Sequence, residues 1–291
     1  MPLVTTRELL DHATRRGTAV PALNVIHLES AEAIAAAAEQ TGQPAVLQIS
    51  QNCVRYHGSL APIAAAVRAV AEQAKAPLSL HLDHAEDVQL VREAIALGFS
   101  SVMYDGAALP YEQNVATTAQ VVTEAGAAGI MVEAELGEVG GKDGAHAPGV
   151  RTDPEEARRF VAETGVHALA VAVGSSHAMT TKTASIDVDL VADLAQAVPV
   201  PLVLHGSSGV PEESIRAAIE AGMRKINVST QLVRAFTGAV RERLAADPEL
   251  VDSRKYLAAG RTAMAAETAA VINLITGESA PGEENIGTGE R

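Results

Sequence analysis

Apolar and polar positions follow one order that repeats along the chain. Apolar runs of four to seven residues alternate with longer stretches in which apolar residues recur at the spacing of a helix. Gly or Pro stands at many of the junctions, for example Gly42, Pro77, Gly98 and Gly222. No two apolar runs are joined by a hairpin turn, so we expect parallel strands, each followed by a helix that covers it.

The pattern predicts eight strands and the helices that accompany them. The strands are expected at residues 19–25, 45–49, 77–82, 101–104, 130–136, 168–173, 201–204 and 225–228. The helices are expected at residues 6–16, 30–41, 60–76, 86–97, 111–125, 154–164, 187–197, 212–221, 230–245 and 263–275.

Eight strand-then-helix units favour a closed (β/α)8 barrel, of the TIM-barrel type, over a doubly wound open sheet, which is the alternative for the same pattern. The helix at 6–16 precedes the first strand and is expected to cover the bottom of the barrel. The helix at 263–275 is a further addition at the C-terminal end. Because no Pro/Ser-rich linker divides the chain, we expect one domain over residues 1–276 and a polar tail over 277–291.

Composition narrows the class of protein. Hydrophobic residues make up 47% of the 291 positions but aromatic ones only 2%, so the core must be aliphatic. The net charge of −14 disfavours nucleic acid or an anionic membrane as a partner. It does not exclude a small anionic substrate, because clustered backbone N–H groups bind anions locally.

Cysteine usage and the N-terminal segment bear on location. Cys53 is the single cysteine, which excludes an internal disulfide and a cysteine-rich zinc cluster. The first residues have no signal-peptide pattern, and no apolar run approaches the ~20 residues of a membrane helix. We therefore expect a cytoplasmic protein.

Polar or ionisable side chains follow every predicted strand. In a (β/α)8 barrel the chemistry lies at the carboxyl ends of the strands, so these side chains are expected to meet. In strand order they are Asn24, Ser50, Asp83 with His84, Asp105, Glu133 with Glu135, the segment 174–177, the segment 205–209 and the segment 227–230.

Three histidines in this ring, His84, His177 and His205, are candidate metal ligands. They are far apart in sequence, so only the barrel can bring them together. Three nitrogen ligands with one open position are typical of a catalytic zinc site. His81 is two residues from Asp83 and is expected to be structural.

Two segments after the last strands are candidates for phosphate binding. The segment 206–209, Gly-Ser-Ser-Gly, precedes a helix opened by Pro211, and the segment 227–230 opens the following helix. Helix N-termini and Gly-rich turns present backbone N–H groups to anions, and barrels often hold a phosphate at this place.

Five segments together resemble one known family. They are LHLDH at 80–84, VEAELG at 132–137, VGSSH at 173–177, VLHGSSG at 203–209 and KINVST at 225–230. These motifs are similar to those of the class II, zinc-dependent ketose-bisphosphate aldolases, the fructose- and tagatose-bisphosphate group. The resemblance extends over roughly residues 3–275.

The resemblance implies a role for each matching residue. His84, His177 and His205 would bind Zn²⁺, Asp83 would donate the proton, and Asp105 and Glu135 would lie near a displaced metal position. Asn24 and Ser50 would line the substrate pocket, and a bound Na⁺ or K⁺ is implied near the phosphate. The residues matching the stretches that bind dihydroxyacetone phosphate are Ala178, Gly206, Ser207, Ser208, Asn227, Val228, Ser229 and Thr230.

Three departures from the family pattern stand out. Ala178 and Ser207 occupy positions where the family usually has glycine, which bears on how closely the backbone approaches a phosphate. The loop at 140–144 lacks the Glu that commonly moves a proton at the substrate carbon. Asp143 takes that role, or Glu138 does, or the reaction is slow or different.

The expected reaction is reversible retro-aldol cleavage of a small-molecule sugar phosphate by a homodimer or homotetramer. Arg261 or Arg254 would meet a second phosphate, from a neighbouring subunit. Lys182 lies in a polar loop and Lys225 is expected at the far end of the eighth strand, so a Schiff base is disfavoured. The alternatives are a different metal-dependent barrel lyase and a non-catalytic aldolase partner subunit.

Overall fold

A closed barrel of eight parallel strands is the centre of the fold. The computed structural model describes residues 3–136, 151–176, 179 and 181–277. Each strand pairs in parallel with the next along the chain, and the eighth pairs with the first. The predicted (β/α)8 barrel is therefore confirmed, and the open doubly wound sheet is wrong.

The strands alternate with helices, as the sequence pattern predicts. The strands are β1 Val20–Asn24, β2 Ala45–Ser50, β3 Leu78–Ala85, β4 Ser101–Tyr104, β5 Met131–Leu136, β6 Ala168–Val171, β7 Leu202–Leu204 and β8 Met223–Val228. The helices of the described residues are α1 Thr6–Arg16, α2 Leu28–Thr41, α3 Gln51–His57, α4 Leu60–Gln73, α5 Val88–Ala96, α6 Tyr111–Gly126, α7 Pro154–Thr164, α8 Val188–Ala197, α9 Glu212–Ala221, α10 Thr230–Ala246 and α11 Ser253–Thr276.

Two aliphatic cores lie on the two sides of the strands. The larger fills the space between the barrel and its surrounding helices, with residues such as Leu47, Leu80 and Val132. The smaller fills the lower part of the barrel interior with Ala22, Val46 and neighbouring apolar side chains. Because side chains alternate along a strand, six of the eight strands supply both cores, and β3 and β8 supply apolar residues only to the larger one.

Helix α1 closes the bottom of the barrel, as expected. Its apolar residues Leu9, Leu10 and Ala13 belong to the smaller, interior core. The Thr6 hydroxyl hydrogen-bonds to Ser79 Oγ at 3.0 Å and to Ser101 Oγ at 2.7 Å, at the starts of β3 and β4. The lower barrel is thus sealed from solvent, and the polar chemistry is left at the opposite end.

Two helices differ from the prediction. Helix α3 was not predicted, because Gln51–His57 is polar and has no apolar periodicity. It forms where the Ser50 side chain caps its first turn by accepting from Cys53 N. Helix α11 begins at Ser253 rather than at residue 263, because Asp252 caps it by accepting from Arg254 N.

Two strands also extend beyond their predicted limits by two or more residues. β3 continues through Asp83 and His84 to Ala85. β8 begins at Met223, two residues before Lys225, so the expectation that Lys225 opens the strand is wrong. The Lys225 side chain is fully buried and lies within the barrel. The charged Arg224 interrupts the apolar run, so the sequence pattern did not indicate that the strand begins at Met223.

Within the described ranges, none of the helices combines the length and the apolar character that a bilayer span requires.

Candidate active site

Polar side chains from five strands meet at the carboxyl end of the barrel. They are mostly buried, and they are connected by hydrogen bonds and ion pairs. The members are Asp83 and His84 of β3, Asp105 after β4, Glu133 and Glu135 of β5, His205 after β7, and Lys225 and Asn227 of β8.

A distortion in β3 brings Asp83 and His84 to the same site. Adjacent residues of a regular strand point to opposite faces, so an ordinary β3 would separate them. The pairing of β3 with β4 shifts register between Leu82 and Ala85. His84 has a φ of +48°, which a non-glycine residue seldom adopts. The strand continues past its predicted end at residue 82, and an irregularity inside it brings the two side chains together.

The side-chain ligand atoms of Asp83, His84 and His205 all lie within 4.8 Å of one another. A second group, His84, Asp105 and Glu135, meets the same limit. His84 belongs to both groups because its ring lies between them, with Nδ1 2.8 Å from Asp105 Oδ2 and Nε2 2.8 Å from His205 Nδ1. The two groups therefore share one imidazole.

The outer hydrogen bonds fix the tautomers of both histidines. An ionised carboxylate only accepts hydrogen bonds, so His84 Nδ1 carries a proton for Asp105. By the same rule His205 Nε2 carries a proton for Glu133 Oε1, 2.9 Å away. In the neutral rings the remaining nitrogens, His84 Nε2 and His205 Nδ1, then have lone pairs that face each other at 2.8 Å.

This arrangement fits a metal ion. Two facing lone pairs repel each other, and a cation bound by both removes the repulsion. Imidazole nitrogens with a nearby carboxylate are a donor set that suits Zn²⁺ and related divalent metals. The third predicted ligand, His177, lies outside the described residues.

Asp83 is held by three side-chain amides. Its Oδ2 accepts from Asn24 Nδ2 at 3.3 Å and from Gln48 Nε2 at 3.4 Å. Its Oδ1 accepts from Asn227 Nδ2 at 3.3 Å. Burial raises the pKa of Asp83, but the electrostatic influence of the neighbouring basic groups His84, His205 and Lys225 outweighs it and lowers the pKa below its usual value. The structure therefore favours the ionised carboxylate.

A buried ion pair lies directly beneath these groups. Lys225 Nζ donates to Glu133 Oε2 at 2.8 Å and to Asn227 Oδ1 at 2.9 Å. His81 lies beside the pair, with Nδ1 2.7 Å from Ser101 Oγ. Burial and the charge of Lys225 hold the pKa of His81 well below its usual value, so the ring is neutral. This placement is consistent with the predicted structural role of His81.

From the sequence we assigned no role to Glu133 or Gln48, and we placed Lys225 at the wrong position in β8. The inward direction of Lys225 and Glu133 could have been predicted from the two-residue alternation of side chains along the strands. Lys225 and Asn227 share one face of β8, just as Glu133 and Glu135 share one face of β5. Opposite charges on the inward faces of two barrel strands predict an ion pair, because neither charge could be buried alone.

The loop after β7 approaches the end of β6 very closely. Gly206 has a φ of +67°, and a Cβ at this position would lie 2.6 Å from the carbonyl carbon of Ser176. Ser207 stands where a glycine was expected, and its hydroxyl donates to Asn227 O of β8. The Ser207 side chain is thus turned into the barrel wall. Ala178, the other departure, lies outside the described residues.

The loops after β7 and β8 border open space. Ser229 and Thr230 line a cavity of about 500 Å³ together with Arg234 and Arg241. Ser208 lines a neighbouring cavity of about 380 Å³, which also contains Arg234. Val228 ends β8 and is buried.

The remaining predicted residues lie in different places. Ser50 is the register partner of Asp83 on the adjacent strand, and Asn24 hydrogen-bonds to Asp83 directly. Arg261 donates to Glu32 of α2, and Arg254 donates to Asp252. Both guanidinium groups are therefore held by acidic residues of the outer helices or their ends. Asp143 and Glu138 lie outside the described residues.

Comparison with known proteins gives consistent matches over most of the chain. The sequence profile of the family described as Fructose-bisphosphate aldolase class-II matches residues 4–279. A probable fructose-bisphosphate aldolase of Bacillus subtilis is 41% identical over 268 residues, covering 91% of this chain and 94% of that protein. The fructose-bisphosphate aldolase of Geobacillus stearothermophilus is 41% identical over 270 residues, with coverage of 91% and 94%.

The three-dimensional fold is similar to that of known aldolase structures. The YdjI aldolase from Escherichia coli K12 superposes with a TM-score of 0.83 at 29% identity, covering 94% of this chain and 97% of that one. A putative fructose-1,6-biphosphate aldolase from Coccidioides immitis gives a TM-score of 0.82 at 31% identity, with coverage of 94% and 96%. The family profile, the relatives and the fold agree: the chain belongs to the class-II fructose-bisphosphate aldolase family.

Proposed function

We propose that this enzyme cleaves a fructose- or tagatose-bisphosphate-like ketose with Zn²⁺ held by His84, His177 and His205, and with Asp83 as the group that moves the proton. Family membership supplies the coarser part: the protein is a carbon–carbon lyase that reversibly cleaves a phosphorylated ketose with the help of a metal ion. The convergence of Asp83 with two imidazole lone pairs is the observation that supports the finer part most directly.

A metal ion held by His84, His177 and His205 would supply the electron sink of the reaction, by polarising the ketone carbonyl and stabilising the negative charge that develops as the carbon–carbon bond breaks. The residues contribute by holding their lone pairs in place beforehand. Asp105 and Glu133 orient the two imidazoles from outside, so the rings need not reorganise during the reaction.

Asp83 handles the proton. In the cleavage direction its carboxylate accepts the proton of the hydroxyl on the carbon that becomes the aldehyde. In the condensation direction it returns that proton. The lowered pKa keeps Asp83 ionised and so able to accept a proton, and the amides of Asn24, Gln48 and Asn227 fix the direction of its oxygens.

The phosphate of dihydroxyacetone phosphate is assigned to the loops after β7 and β8. Ser229 and Thr230, at the N-terminal end of α10, line a cavity beside two arginines, an arrangement that favours an anion. Position 206 requires glycine, because a side chain there would collide with the backbone of Ser176. The predicted Na⁺ or K⁺ near this phosphate stays a prediction.

Family membership also bears on the two alternatives. A non-catalytic partner subunit has no need of an ionised Asp83 held beside paired histidines. A different barrel lyase was motivated by the loop at 140–144, and the family assignment favours aldol cleavage over it.

The first prediction concerns Asp83. Asp83→Ala should lower kcat by about a hundredfold or more, because it removes a general acid/base while the imidazoles remain. Zinc content and thermal unfolding should stay close to wild type. Asp11→Ala, on the exposed face of α1, is the matched control and should leave kcat unchanged. Wild-type turnover of Asp83→Ala with metal fully loaded would reject the assignment.

The second prediction separates metal chemistry from Schiff-base chemistry. A strong chelator should abolish activity, and added Zn²⁺ should restore it. Borohydride added with substrate should leave activity intact and add no mass, because Lys225 is buried and ion-paired with Glu133. Intact mass spectrometry checks the second part. Substrate trapped on a lysine, or full activity in metal-free protein, would contradict the prediction.

The third prediction concerns the loop that lacks the usual Glu. We propose that Asp143 exchanges the proton at the dihydroxyacetone phosphate carbon. Asp143→Ala should then slow that exchange by about a hundredfold while substrate affinity changes much less. Isotope exchange followed by NMR measures the rate. Unchanged exchange would exclude Asp143, and the same measurement on Glu138→Ala then tests the other candidate.

The fourth prediction concerns Arg261 and assembly. We propose that Arg261 meets the second phosphate across the interface of a homodimer or homotetramer. Its guanidinium is partly exposed on α11 and is held by Glu32. Arg261→Ala and Asp83→Ala should each be nearly inactive alone. Each hybrid dimer would contain one intact site if Arg261 acts on the neighbouring subunit.

Subunit exchange between the two variants should therefore restore about a quarter of wild-type activity, since half of the dimers are hybrids with one intact site. Arg254→Ala mixed with Asp83→Ala is the control for the other arginine. No recovery in verified hybrids would show that Arg261 does not act across the interface.

A further inference from the structure

A complete ion pair is buried inside the barrel directly under the proposed metal centre. Lys225 is 0% exposed and Glu133 is 1% exposed, and their charged atoms are 2.8 Å apart. Removing two charges from water is costly, and apolar residues of similar volume often replace such pairs without loss of stability. The layer of the barrel interior below the pair is filled by apolar side chains such as Ala22, Val46 and Met103. Packing alone therefore does not account for the pair.

One side of the ion pair extends to the metal centre. Glu133 uses Oε2 for Lys225 and Oε1 for His205 Nε2, at 2.8 and 2.9 Å. Glu133 thereby sets the tautomer of His205 and leaves the Nδ1 lone pair directed at His84. Outer partners of this kind raise the basicity of a metal-binding imidazole and fix its orientation.

The other side of the ion pair extends to the acid/base. The Lys225 ammonium can only donate, so the amide oxygen of Asn227 must face it, at 2.9 Å. The amide nitrogen of Asn227 is then directed at Asp83 Oδ1, at 3.3 Å. Lys225 thus decides which way the Asn227 amide points, and Asn227 in turn positions the carboxylate of Asp83.

We propose that Lys225 and Glu133 are positioning residues that connect the metal ligand His205 to the acid/base Asp83. Through Glu133 the pair fixes the imidazole that binds the metal. Through Asn227 it fixes the carboxylate that moves the proton. The inference rests on the proposed function, because it assumes that His205 binds the metal and that Asp83 moves the proton.

The experiment compares two double variants, because each single substitution would leave one buried charge without its partner. Lys225→Met with Glu133→Gln removes both charges but keeps an oxygen that accepts from His205. Lys225→Met with Glu133→Leu removes that acceptor as well. The difference between the two therefore isolates the contact with His205. Arg92→Met breaks the Arg92–Glu124 ion pair between α5 and α6. It is the control for replacing an ion-paired cationic side chain by methionine far from the site.

Zinc affinity is measured by chelator competition, and Co²⁺ absorption spectra report the ligand geometry without any turnover. The leucine double variant should bind zinc about 10- to 100-fold more weakly than the glutamine one and should show an altered Co²⁺ spectrum. Both double variants should lose about 10- to 100-fold in kcat with little change in KM, because Asn227 no longer positions Asp83. Thermal unfolding verifies that both are folded, and Arg92→Met should match wild type throughout.

The outcomes separate this inference from the function on which it rests. Equal zinc affinity and equal Co²⁺ spectra in the two folded double variants would overturn the role of Glu133. Wild-type kcat in both would overturn the role of Lys225. If His205→Ala binds zinc as tightly as wild type, the proposed metal centre itself is wrong, and this inference is overturned with it.

Discussion

The irregularity in β3 is the constraint on which the active site depends. A regular strand would place Asp83 and His84 on opposite faces, one in the barrel and one against the helices. The register shift before Ala85 and the positive φ of His84 place both side chains at the carboxyl end of the barrel. Backbone strain of this kind is retained only where the surroundings fix it, and the hydrogen bond between His84 Nδ1 and Asp105 provides such a constraint.

Charge is distributed along the axis of the barrel in three layers. The bottom layer is mostly apolar, with the hydroxyls of Thr6, Ser79 and Ser101 hydrogen-bonded to one another, and α1 covers it, so water does not reach the interior from that side. The middle layer contains the Lys225–Glu133 pair, which balances its own charge. The top layer contains imidazoles and carboxylates whose facing lone pairs favour a cation. A cation held in the top layer would act more strongly where water is excluded, and the buried lower layers exclude water from one side.

The sequence predicted the barrel because apolar runs and helical periodicity report burial directly. It also predicted the strand ends, and hence the meeting of Asp83, His84 and His205, since parallel strands bring their carboxyl ends together. It did not predict the distortion of β3, because the presence of a histidine at position 84 does not by itself indicate a positive φ. Nor did it predict that Lys225 is buried inside the barrel, because the charged Arg224 interrupts the apolar run that would have indicated where β8 begins.

Ser207 shows why a departure from a family pattern needs a structure for its interpretation. From sequence, a serine in place of glycine near a phosphate implies a hindered approach of the backbone. In the barrel the Ser207 hydroxyl points away from the loop surface and donates to Asn227 O. That bond joins the loop after β7 to β8 at Asn227, whose side chain hydrogen-bonds to Asp83. Ser207 therefore links the loop after β7 to β8, and the neighbouring Gly206 keeps the close contact with Ser176 that only glycine permits.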